Sequence, residues 1–193
     1  MKSTPTFLKK TSLLASVTTI ILLIPYLAMQ FTQAVNWSPA DFILAGILLF
    51  GTGMGYLLMT ERPTGLVYKF AVGLALATAL FMVWSNLAVG IIGSEGQPIN
   101  LVYFGLLLVG LAGAVYVRFR SLGMSRVLFF LAAAQLLIGV LALAFGMHQL
   151  PGASFTEITL VNGFFMVLWL FSAILFRYDG QNFRRFSSQT STV

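Results

Sequence analysis

Phe70–Gly93 reads FAVGLALATALFMVWSNLAVGIIG and holds no Lys, Arg, Asp or Glu. A bilayer core about 30 Å thick is crossed by about 20 mostly apolar helical residues, so this run is long enough to span one. A strand reading fails, because membrane barrels alternate apolar and polar residues in segments of roughly ten, and here the apolar character is continuous. Five further runs of the same kind lie on either side of it: Leu13–Thr32, Phe42–Met59, Leu101–Val117, Val127–Met147 and Ile158–Phe176. The expectation is an all-α, polytopic membrane protein whose six transmembrane helices form three consecutive helical hairpins. Residues 1–12 and 177–193 are then polar tails, and residues 13–176 are the membrane domain. The short connections leave no room for a further folded domain.

Composition supports this. Of 193 residues, 59% are hydrophobic and only 8% charged, with a mean hydropathy of +0.93. A soluble domain carries about 25% charged residues to cover its surface. The absence of cysteine rules out a disulfide scaffold, thiol catalysis and thiolate metal sites.

The basic residues set the expected orientation. Lys2, Lys9 and Lys10 precede the first run; Arg62 and Lys69 lie in the second connection and Arg118, Arg120 and Arg126 in the fourth; Arg177, Arg184 and Arg185 follow the sixth run. All of them fall on one side, so the positive-inside rule puts both termini in the cytoplasm of a bacterial inner membrane. Asp41, Glu95, Glu157 and His148 fall on the other side. The formal charge of +6 is therefore topogenic, and no nucleic-acid partner is expected. The first run ends without a small-x-small cleavage site and reads as a retained helix, kinked or thinned near Pro25.

The connections on the acidic side repeat a device. Ser38-Pro39-Ala40-Asp41 and Ser154-Phe155-Thr156-Glu157 have capping-box spacing, and Gln97-Pro98-Ile99-Asn100 occupies the same register with uncharged residues. Gly46, Gly105 and Gly163 follow at similar distances. This suggests a threefold tandem repeat, although evenly spaced loops would produce the same beat without one.

Candidate functional residues are few. Ser85, Asn86 and Asn162 lie near the acidic side of their helices, Gln135 and Thr52 near mid-span, and Glu95 in a loop where no cap explains it. An amide in hydrocarbon needs a partner. One reading is a polar pocket of Ser85, Asn86, Asn162 and Glu95, and the other is hydrogen bonding between helices. Asn86 shares a face with Gly90 and Gly93, and its amide is expected to bond to the second, fourth or sixth helix. Asp41, Glu95 and Glu157 fit a cation-attracting ring, and Asp41 and Glu157 also fit ordinary helix caps. The pairs Gly51/Gly55, Gly73/Ala77, Gly110/Ala114 and Ala142/Gly146 are spaced for close helix packing. Tyr26, Trp37, Tyr68, Tyr103, Tyr116 and Tyr178 are placed for interfacial belts. One histidine cannot build a zinc site, and no metal or other cofactor is expected.

Met29-Gln30-Phe31-Thr32 with Val35-Asn36-Trp37, Gly46–Gly53 and Leu87–Gly93 resemble stretches of a family of small uncharacterised bacterial six-helix integral membrane proteins. The resemblance implies the six-helix fold and brings no activity or catalytic residue.

Three functions remain open. An accessory or helix-packing module, partnered by the bilayer and by another membrane protein or itself, fits the small-residue faces and short loops. A channel or facilitator for a small solute or cation would use Ser85, Asn86, Glu95, Asn162 and Gln135. A lipid-acting enzyme would have only Glu95, His148 and Glu157 at the rim to work with.

Overall fold

The computed structural model describes residues 4–61 and 64–190, with side chains for 7–61 and 64–182. It is helical, with α1 at Thr4–Phe31, α2 at Pro39–Thr60, α3 at Leu66–Ala88, α4 at Leu101–Tyr116, α5 at Ser121–Ala144 and α6 at Phe155–Thr190. Each is long and apolar enough to cross a membrane, α4 together with the short 3-10 turn Pro98–Asn100 that leads into it. Packing groups these helices as two and four rather than as three pairs.

The first unit is the α1–α2 hairpin. Pro25 stays inside α1, which also runs back through residues expected to form a tail. Leu14 of α1 lies so close over Gly53 that a Cβ there would overlap it, and Leu22 lies 3.5 Å from where a Cβ on Gly46 would stand. Gly53, not the expected Gly51, is thus the close-approach position; Gly51 has open space around it. At the turn, Trp37 and Tyr26 set their rings edge-on against Phe42. α2 begins with the expected capping box: Asp41 N–H donates to Ser38 Oγ at 3.3 Å, and Ser38 N–H donates to Asp41 Oδ2 at 2.7 Å.

The second unit is a four-helix arrangement in which α6 lies between α3 and α5, α5 also packs on α4, and α3 and α4 touch only lightly. Its core is built from Ala71, Val72 and Met82 of α3, Tyr103 and Leu106 of α4, Leu128 and Leu131 of α5, and Ile158, Phe165, Trp169 and Phe176 of α6. Gly110 lets α4 approach α5 as expected, since a Cβ there would stand 2.8 Å from Leu131. Gly146 has a different task. With φ +71° it ends α5 in a left-handed turn and belongs to no packing face.

Helix boundaries in this unit also depart from expectation. α3 stops at Ala88, where the backbone N–H groups of Val89 and Gly90 both donate to Ser85 O. Gly90 takes φ +78°, and a Cβ on it would lie 2.6 Å from the Ser94 backbone, so the chain folds back instead of continuing to Gly93. At the other end, α6 continues past Phe176 through the polar segment as far as Thr190. Tyr68 and Tyr103 are core residues and not belt residues, at 6% and 0% exposure. The α4–α5 turn holds Arg118 and Phe119 at φ 53° and 57°, a left-handed pair without glycine. Tyr68 Oη donates to Phe119 O at 3.0 Å and pins that turn to α3.

Candidate functional site

Chemistry in the four-helix unit gathers at the end that carries the α3–α4 and α5–α6 turns. Asn162 on α6 is its centre. Asn162 Nδ2 donates to Ile158 O at 2.8 Å within its own helix, which leaves Oδ1 facing the bundle. That oxygen accepts from Tyr103 Oη of α4 at 2.8 Å and from Gln135 Nε2 of α5 at 2.9 Å. Three helices thus meet at one carbonyl oxygen, with all three side chains buried. Gly139 makes the approach possible, because a Cβ there would stand 3.0 Å from Asn162 Cβ.

Of the five residues expected to line a site, the structure brings together only Asn162 and Gln135. Asn86 is buried, but its Nδ2 donates to Met82 O of its own helix at 3.0 Å, and among the described residues of its unit it makes no bond to α4 or α6. The reason is local: a carbonyl one turn back lies within reach of a short amide side chain, and it competes with any neighbouring helix. Asn86 Oδ1 is left without a partner. Ser85 is half-buried and Glu95 is exposed in the loop, so the expected Ser85–Asn86–Asn162–Glu95 pocket does not form as a hydrogen-bonded set.

Sequence reasoning missed Tyr103 and Asn100. Tyr103 was recognisable as the first member of the stripe Tyr103, Leu106, Gly110 and Ala114, which recurs at helical spacing and is buried throughout. Asn100, expected as a cap, provides no side-chain cap for α4. Its Oδ1 accepts from the N–H groups of Ile91 and Ile92 at 3.2 and 2.9 Å, and its Nδ2 donates to the carbonyls of Ile92 and Ser94 at 3.3 and 2.9 Å. One amide therefore replaces the backbone partners that residues 91–94 lost when α3 ended.

The rim groups do not converge. Glu157 N–H donates to Ser154 Oγ at 3.0 Å, which is half a capping box, and His148 sets its ring edge-on to Phe155. Among the described residues no cluster of three or more His, Asp or Glu is arranged to hold a metal. At the opposite end Ser121 Oγ donates to Asp179 Oδ2 at 2.6 Å, and midway along the unit Ser172 Oγ donates to Ala71 O at 2.8 Å. These bonds tie α6 to α5 and to α3.

No family model, curated protein or solved structure matches this chain.

Proposed function

We propose that this chain is a non-catalytic integral membrane protein of the bacterial cytoplasmic membrane, with both termini in the cytoplasm, serving as an accessory module that packs against another membrane protein or a second copy of itself. The observation that carries this reading is how the core is filled. Between the Asn162 cluster and the basic end, the inward positions of the four-helix unit hold Met82, Val72, Phe165, Trp169 and Phe176, each under 2% exposed, and no charged side chain is buried among the described residues. A pathway for ions or polar solutes needs polar or wet lining along its length. Tyr103, Gln135, Asn162 and Ser172 instead bond one helix to another, which in a bilayer fixes helix arrangement where hydrophobicity alone cannot.

The test is flux. The full chain reconstituted into liposomes should give glycerol, urea and potassium permeabilities equal to those of protein-free vesicles. A flux above that baseline that disappears in Asn162→Ala would replace the accessory reading with a facilitator whose entrance is the Asn162 cluster. Orientation is checked separately: a reporter fused after Val193 should be active only in the cytoplasm, and one inserted at Gly96 only outside.

A further inference from the structure

Gln135 and Trp169 lie in the same core, and each holds a polar atom without a partner among the described residues: the Gln135 Oε1 acceptor and the Trp169 Nε1–H donor. The Gln135 amide has no freedom to turn over. Asn162 Nδ2 is committed to Ile158 O, so Asn162 Oδ1 can only accept, and Gln135 must offer it Nε2. A flipped Gln135 would set two carbonyl oxygens against each other. Its Oε1 therefore faces away from Asn162.

The α5–α6 register brings the two residues to levels about one turn apart. The helices run antiparallel, with Ser121 on Asp179 and with Gln135 and Gly139 on Asn162. Gln135 is then level with about Phe165, one turn from Trp169. Trp169 lies two turns beyond Asn162 on nearly the same face, and helical side chains lean toward their helix N-terminus, so its indole leans back toward the Gln135 level. A lone acceptor and a lone donor are complemented by one group that can both donate and accept. Burial without such a partner carries the full desolvation cost of each atom.

We propose that Gln135 and Trp169 form a binding site for a neutral hydroxyl group, which donates to Gln135 Oε1 and accepts from Trp169 Nε1. Neutrality follows from the surroundings, since no buried charge among the described residues could balance an ion there. The group is small, because Gln135 and Trp169 are themselves fully buried in a core that also holds Tyr103, Ile158 and Phe165. Water and the hydroxyl of a small alcohol supply the same chemistry.

The experiment uses the full chain in lipid nanodiscs carrying Trp37→Phe and Trp84→Phe, so that Trp169 gives the single indole N–H signal in NMR. The expected result is an indole proton shifted to a hydrogen-bonded position, with a cross-peak to the occupant. A cross-peak to water that glycerol leaves unchanged identifies water. A cross-peak to glycerol protons that appears and saturates on titration identifies an alcohol. Gln135→Met should weaken either cross-peak several-fold. If that variant does not fold, isotope-edited infrared of the unsubstituted Gln135 side-chain carbonyl gives the second reading, and a hydrogen-bonded frequency is expected. A free indole N–H or a free carbonyl overturns the proposal. So does a hydrogen-bonded indole with no cross-peak to water or glycerol, because the two side chains would then be bonded to each other.

Discussion

The hairpin α1–α2 and the four-helix unit α3–α6 solve the same problem differently. Both place apolar helices side by side, and neither can rely on water to drive them together. In the hairpin, polar side chains within α1 stay on their own helix: Ser16 Oγ donates to Ser12 O and Thr19 Oγ1 to Ala15 O. Its two helices meet through shape, with Leu14 over Gly53 and Leu22 over Gly46, and through a capped turn. In the four-helix unit, polar side chains cross between elements at both ends and in the middle, at Tyr103–Asn162, Gln135–Asn162, Ser172–Ala71, Tyr68–Phe119 and Ser121–Asp179. Steric fit allows two helices to slide or rotate with small losses, whereas a crossing hydrogen bond specifies one register. The four-helix unit is therefore the better-defined part of the chain, and substitutions in the two units should differ in kind.

The largest effect should come from Asn100→Leu. It removes four hydrogen bonds and leaves the buried N–H groups of Ile91 and Ile92 without partners. A loss of about 3 kcal/mol is expected, measured as reversible unfolding in mixed micelles. A loss near zero would mean that residues 91–94 find other partners, and the contrast between the units would weaken. Next comes Asn162→Leu, expected at about 2 kcal/mol, because Tyr103 and Gln135 both lose their acceptor. A double-mutant cycle with Tyr103→Phe should show coupling of about 0.6 kcal/mol or more, while additive losses would show that the pair contributes nothing.

In the hairpin, Gly53→Ala should cost about 1 kcal/mol, since Leu14 must move to another rotamer, and cross-linking between α1 and α2 should decrease while the four-helix unit unfolds as before. The smallest effect belongs to Ser38→Ala, about 0.5 kcal/mol, because it removes a single exposed cap. If Ser38→Ala proved more costly than Asn162→Leu, the ranking of the two units would be reversed.

The residues differ in how much of this they announced. The six spans were legible because charge is expelled from every one of them, and a charge at membrane depth is too costly to place by accident. The Ser38–Asp41 cap was legible because both partners lie within one turn of chain. Asn100 misled because its spacing matched a cap, while its real partners are backbone groups eight and nine residues upstream, which carry no side-chain signature. The Asn86 reading failed at the choice between a carbonyl on its own helix and one on a neighbour, since a sequence names the amide but not the nearer acceptor. Tyr103 was assigned to the membrane interface by its position near a helix end, and only the stripe it shares with Leu106 and Gly110 marked it as core. The grouping of helices as two and four depends on α6 meeting α3, a pairing between the most distant segments of the unit that no local pattern records.

That pairing has a consequence for biogenesis. Partners of Tyr103, Gln135 and the Ala71 carbonyl all reside on α6, which is synthesised after the other five helices described here. Until α6 is made, the Tyr103 hydroxyl and the Gln135 amide lack the acceptor that Asn162 provides. A chain ending before Ile158 would therefore lack the acceptor that Tyr103 and Gln135 share, and its α3 would have no α6 to pack against.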